Sequence, residues 1–224
     1  MLDFRYSMIN DVRRRIQGEE FDYQLLTDLL KDYRRPRARI SKMLRRREVI
    51  RVKKGIYVFG EDYARRPYSR EILANMIYGP SCVSLEYALH FHGLIPERPE
   101  AVTSITTGRS RRFPTPVGVF TYHQIPVRAF PVGIQRVEAG SASFLIACPE
   151  KALADKLQAD RGTGVRTLGS LRSYLFDSLR IDPGSMAGLD AEVLMLLSKR
   201  YRSEKLRLLS RLVAVGSDKG KRDE

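Results

Sequence analysis

The densest chemical signal in this 224-residue chain is a run of cations. Between Lys31 and Lys54, twelve basic residues stand against two acidic ones, Asp32 and Glu48: a net +10 in 24 residues, from a formal +14 overall. Guanidinium and ammonium groups this close, with few carboxylates among them, repel one another unless a polyanion neutralises them. The chemistry on offer is therefore phosphate binding. Arginine adds the option of a bidentate hydrogen bond to guanine O6 and N7, which suits Arg37 and Arg39. Arg34, Arg35, Lys42, Arg45 and Arg46, with the Ser41 hydroxyl among them, suit backbone positioning, and Arg51, Lys53 and Lys54 suit phosphates or the minor groove.

Candidates for catalysis are thinner. His90 and His92 are two residues apart, and on a helix that spacing turns them roughly 200° away from each other, whereas helical metal ligands come three or four apart. Glu150, Lys151, Asp155 and Lys156 could suggest a magnesium-dependent nucleic-acid-processing site, but the preceding Ser143–Ala147 segment lacks carboxylates. The plainer reading puts Glu150 at a positive helix start and pairs Lys151 with Asp155 one turn on. Cys82 and Cys148 form no CxxC and read as reduced, buried thiols. Gly162, Gly164 and Gly169 lack the strand that a nucleotide loop needs. No catalytic residue, metal or cofactor is assigned.

The cations need elements to hold them. Phe21, Leu25, Leu26, Leu29 and Leu30 repeat at helical spacing, which predicts a helix over Phe21–Leu30 and a break at Lys31–Arg35. Pro36 fits a first helical position, and Ile40, Met43 and Leu44 give the following helix one apolar stripe down to about Arg47. Its other face reads Ala38, Ser41, Lys42, Arg45 and Arg46, with Arg39 at the edge and Arg37 in the first turn. Val49–Lys53 and Ile56–Phe59 then read as strands joined at Lys54-Gly55. Helix, turn, basic helix and basic hairpin is the order of a winged helix-turn-helix, whose second helix enters a major groove of double-stranded DNA.

Around this unit, Met1–Ile16 reads as a helix burying Phe4, Met8, Ile9, Val12 and Ile16, and Glu61–Arg70 as a polar linker. The predicted organisation is a winged helix-turn-helix with linker over 1–70 and an α+β domain over 71–224. That second domain has helices at Glu71–Tyr78, Leu85–His92, Pro149–Gln158, Ser170–Leu179 and Leu189–Val213. Strands at Ala101–Thr107, Val117–Ile125, Val127–Val132 and Ser143–Cys148 predict a mostly antiparallel sheet. The last helices carry a basic outer face. The longest apolar runs, Phe144–Cys148 and Val193–Leu197, fall far short of the roughly 20 residues that cross a membrane. With no hydrophobic leader at Met1–Arg5, the expected compartment is the cytoplasm.

Four segments in order, Ser81–Glu97 (SCVSLEYALHFHGLIPE), Thr103–Thr107 (TSITT), Thr115–Phe120 (TPVGVF) and Pro149–Leu153 (PEKAL), together with the basic helix and Arg51–Tyr57, resemble the AbiEi family of antitoxins and transcriptional regulators. The likeness spans roughly residues 10–213. It implies a winged helix that binds inverted repeats in the operon's own promoter, where paired sites call for two protein copies and binding gives negative autoregulation. It also implies a C-terminal domain that counteracts a nucleotidyltransferase-like toxin encoded alongside, with no enzymatic activity and no toxin-contact residue that the sequence identifies. A plain regulator without a toxin is the alternative within that class. Two departures stand out. Arg47 replaces a frequent Gly after the basic helix, which is expected to let the helix run on, and Cys148 replaces a frequent Thr, a better N-cap.

Overall fold

The computed structural model describes residues 4–140, 142–162 and 164–220, with side chains from Met8 to Gly216. The helix α1 (Phe4–Arg15) buries Ile9 and Val12; the predicted Phe4 contact and the first three residues lie outside the described part. Ile16, just beyond its end, is buried with them.

The predicted helix Phe21–Leu30 starts later than its apolar spacing suggests. Glu20–Asp22 is a short strand, β1, and the helix α2 (Tyr23–Leu29) opens after it, capped by Asp22, whose carboxylate accepts Leu25 N–H at 2.8 Å. Phe21 belongs to β1 because its ring packs between Tyr57 and Phe59, at 6.1 and 4.7 Å between centroids. The chain then reverses through Arg35, in the left-handed region at φ 63°, and Pro36 opens α3 (Pro36–Arg45). This basic helix ends two residues before the predicted Arg47. Arg46 caps it and Arg47 swings to φ 57°, so the expected extension does not occur. A side chain stands here in a conformation that glycine adopts most easily. The strands β2 (Val49–Lys53) and β3 (Ile56–Phe59) form a hairpin around Gly55 (φ 89°), and β1 pairs antiparallel with the other edge of β3.

The segment Glu61–Arg70 is not a free linker. Arg65 N–H donates to Glu19 Oε1 at 3.3 Å and Ser69 N–H donates to Glu20, which pins it to the residues around β1. Ser69 then caps α4 (Arg70–Ile77).

The remainder is an α+β unit around a six-stranded sheet in the order β6-β7-β5-β4-β9-β8, with β4 Ser81–Val83, β5 Val102–Thr106, β6 Arg111–Thr115, β7 Gly118–Gln124, β8 Ile134–Ala139 and β9 Ala142–Ala147. The pairings β6/β7, β4/β5 and β8/β9 are antiparallel; β5/β7 and β4/β9 are parallel. The sheet is thus antiparallel in three pairings and mixed overall. The predicted strand Val127–Val132 is instead a 3-10 helix at Val127–Ala129 followed by a turn, and the strand that follows is β8. Pro126 and Pro131 lack the N–H donors a ladder needs, and their spacing overrides the valines. The strands β4 and β6 were not foreseen; one is three residues long and the other carries two arginines and a proline.

Helices α5 (Leu85–Phe91), α6 (Pro149–Ala159), α7 (Leu168–Ser173), α8 (Ala191–Tyr201) and α9 (Glu204–Gly220) complete the fold. The predicted Leu189–Val213 helix is broken at Arg202 (φ 55°), giving α8 and α9, and Ser170–Leu179 passes from α7 into a π-helical turn at Tyr174–Ser178.

Two apolar cores result. The smaller gathers Ile9, Val12, Phe21, Leu26, Met43 and Tyr57 among others. The larger contains the second unit's sheet and helices, but also Val52, Ile56 and Val58 from the hairpin. The three-stranded sheet is therefore buried on both faces, one toward each core. A boundary at residue 70 separates the charge but cuts through this packing.

A candidate nucleic-acid interface

The α3 helix is amphipathic at helical spacing. Ile40 and Met43 are buried, whereas Arg37, Ala38, Arg39, Ser41 and Arg45 are exposed and Lys42 is half-buried. Proline at the first turn adds no N–H to be satisfied, and the left-handed Arg35 turns the chain sharply, so Arg34 and Arg35 stand exposed at the start of the same helix. Asp32 is the single carboxylate in the α2–α3 turn and α3.

The partners of these cations differ. Ser41 Oγ donates back to Arg37 O at 3.1 Å, leaving its lone pairs free to accept. Arg39 lies over the Tyr33 ring at 5.9 Å, which steadies its guanidinium plane. Arg46 pairs loosely with the buried Glu48 at 3.6 Å. Arg51 is exposed on β2 and Lys54 at the hairpin turn. Lys53 is the exception among the predicted contacts. Its ammonium donates to Ile77 O at 2.6 Å, the last residue of α4, and lies 4.4 Å from the centroid of the Phe113 ring. A helix C-terminus attracts a cation, so Lys53 ties the hairpin to the second unit and is not displayed with its neighbours. Among the described residues, Arg34, Arg35, Arg37, Lys42, Arg45, Arg51 and Lys54 make no side-chain hydrogen bond or ion pair. Unpaired cations on a surface that places them side by side can meet a polyanion without first breaking internal bonds. Arg47, which the sequence left unassigned to contact, is exposed at the same end of α3. Only its position in the charge run could have suggested it.

The second cluster with chemistry-bearing side chains is buried. Lys151 and Asp155 pair at 2.9 Å with both side chains fully removed from solvent. Asp155 also accepts from Ser84 Oγ at 2.7 Å and from Tyr201 O–H at 2.5 Å. Burial and the Asp155 carboxylate push the Tyr201 phenol far up, so it stays a donor. Glu150, the other candidate acid, accepts from Asp190 N–H at 2.9 Å and thereby holds the start of α8. The two carboxylates are thus committed to separate structural partners. A polar cavity of about 380 Å³ lies beside this cluster, with His123, Gln124, Gln158 and Arg161 in its wall. Among the described residues, no group of three or more His, Cys, Asp or Glu side chains is placed to hold a metal ion. His92 faces Ala147 O at 2.8 Å, while the buried His90 Nδ1 has no hydrogen-bond partner among the described residues.

Burial pushes the Cys148 thiol up to about 12 and raises Cys82 further. Cys148 does cap α6, its sulfur accepting Lys151 N–H at 3.4 Å, longer than a threonine oxygen would allow. Among the described residues no helix is long and apolar enough to cross a membrane.

No protein-family model matches this chain, and no curated protein matches it.

Proposed function

We propose that this protein is a DNA-binding repressor with a winged helix-turn-helix head, and that it serves as the antitoxin of a toxin–antitoxin pair whose promoter it represses. The observation that carries the DNA-binding part is the display of unpaired cations at the α2–α3 turn, on the outer face of α3 and on the hairpin. In this reading α3 lies in the major groove of double-stranded DNA, with Arg37 and Arg39 at base edges. Arg34, Arg35, Lys42, Arg45 and Arg46 take phosphates, and Arg51 and Lys54 do so from the wing. Lys53 supports the wing from behind. The antitoxin part rests on the ordered sequence motifs from Ser81 to Leu153, and places neutralisation of a nucleotidyltransferase-like toxin in the second unit.

The test of DNA binding is titration of a duplex from upstream of the coding sequence. The triple variant Arg37→Ala, Arg39→Ala, Lys42→Ala is expected to lose binding while keeping its circular dichroism spectrum. Tight, salt-sensitive binding by that variant would remove α3 from the interface. The antitoxin part is tested by co-expression with the neighbouring reading frame: rescue of growth supports it, and a harmless or absent neighbour leaves a plain regulator.

A further inference from the structure

The six-stranded sheet has two outer strands, β6 and β8, and they end it differently. In β6, Pro114 lacks an N–H, and Arg111 and Arg112 stand exposed, which are ordinary ways to discourage a further strand from pairing. The six residues of β8 include no proline and no lysine, and their register with β9 runs from Ile134↔Ala147 to Ala139↔Ala142 without a bulge. This edge is complete.

The ladder fixes which backbone groups of β8 face outward. Cys148 N–H donates to Gly133 O at 2.7 Å, so these two residues form a hydrogen-bonded pair, and alternation along an antiparallel ladder turns Gln135, Val137 and Ala139 toward β9 as well. The N–H and C=O of Ile134, Arg136 and Glu138 therefore point away from the sheet, and among the described residues no hydrogen bond reaches them. Arg136 and Glu138 are each 68% exposed and pair with one another at 3.1 Å on one face of the strand, while Val137 is half-buried on the other.

A strand with opposite charges on either side of an apolar residue is complementary to its own reverse. Two copies of β8 running antiparallel can satisfy the outward groups in either of two registers near the middle of the strand. Centring on Arg136 sets arginine against arginine. Centring on Val137 sets each Arg136 opposite the other copy's Glu138, twice, with valine against valine between them. Like charges directly opposite are destabilising and unlike charges stabilising, so charge selects the second register.

We infer that the outer edge of β8 is a self-association surface whose occupant is the β8 strand of a second copy of this chain, antiparallel and centred on Val137. The contact is one strand pair, far below the roughly 1,200–2,000 Å² of a stable interface, so the chain is a monomer at low micromolar concentration and dimerises toward about 1 mM. The surface involves neither α3 nor the wing, and it stands or falls separately from the DNA-binding reading.

The experiment uses the full-length chain without DNA. Sedimentation velocity over a concentration series up to about 1 mM is expected to show monomer passing to dimer, and Arg136→Glu, which sets carboxylates opposite one another, to weaken the association by roughly tenfold. The register is read by a disulfide. Both native cysteines are buried, so a cysteine at position 137 reports alone, and equivalent residues there meet as a non-hydrogen-bonded pair with Cα atoms about 4.5 Å apart, within disulfide range. Val137→Cys in a glutathione redox buffer is expected to give a covalent dimer; adding Arg136→Glu cuts the yield, and adding Glu138→Arg to both restores it. A parent chain that sediments as a monomer throughout overturns the inference. Association that Arg136→Glu leaves undiminished places it on another surface and overturns it too, and equal disulfide yields from all three cysteine variants reduce the pairing to random collision.

Discussion

At the scale of single residues, the buried pair Lys151–Asp155 decides more than any surface cation. Each charge is removed from water and each is satisfied by the other, with Ser84 and Tyr201 completing the shell of Asp155. Breaking one half of such a pair costs about 3–5 kcal/mol because the other half stays buried and uncompensated. Lys151→Met is therefore expected to move the urea midpoint of unfolding sharply downward. The double variant Lys151→Met, Asp155→Asn, which removes both charges and keeps an oxygen to accept from Ser84 and Tyr201, should recover much of the loss. A double variant no more stable than the single one would show that the pair is not the cause.

At the scale of elements, the conformations that end helices are the most instructive. Arg47 holds φ 57°, a region that costs a side-chain-bearing residue about 1–2 kcal/mol relative to glycine's freedom. Glycine has more entropy to lose from the unfolded chain, which offsets about half of that relief, so Arg47→Gly is expected to stabilise the protein by a modest ~0.5–1 kcal/mol, read as a rise in thermal midpoint. Destabilisation would mean that the arginine side chain makes a contact worth more than the strain. The basic helix itself was legible because Pro36 and the Ile40–Met43 stripe are local signals. Its end was not, because the left-handed turn at Arg47 is imposed by the return of the chain into β2, with Gly60 N–H reaching Glu48 O at 3.0 Å. The same contrast explains the sheet. Val102–Thr106 and Ala142–Ala147 advertise themselves through β-branched and apolar residues, whereas β1 and β4 are three residues each and exist only because a partner strand from elsewhere in the chain pairs with them. Among the site residues, the cations were legible as a group from charge density. The diversion of Lys53 was not, since it depends on Ile77 and Phe113, 24 and 60 residues away in sequence.

At the scale of the whole molecule, buried hydroxyls and thiols set the alkaline limit. Cys148 is held up to about 12 against an ordinary thiol value of 9, and Tyr87, Tyr122, Tyr174 and Tyr201 are all raised by burial. The folded chain keeps these protons after the unfolded chain has released them. Stability is thus full below pH 9 and falls as pH rises toward 12, by about 1.4 kcal/mol per pH unit for each such group. Urea midpoints measured from pH 8 to 11 should decline progressively; a flat profile would contradict the burial of these groups. The sheet shared by two cores predicts, besides, that the intact chain melts in one transition. A 1–69 fragment leaves Val52, Ile56 and Val58 facing water, and it is expected to self-associate by analytical ultracentrifugation where the full chain does not.

That shared sheet also limits how the two halves can be recombined. Because the hairpin that carries Arg51 and Lys54 is at the same time a wall of the larger core, a foreign N-terminal unit cannot be spliced in at residue 70 as a cassette. A working chimaera has to bring its own equivalents of Val52, Ile56 and Val58 and a cation for the end of α4. If α3 reads DNA as proposed, change in its sequence preference is freest along its outer face, where Arg37, Ala38, Arg39, Ser41 and Arg45 are exposed and side chains can change without disturbing either core.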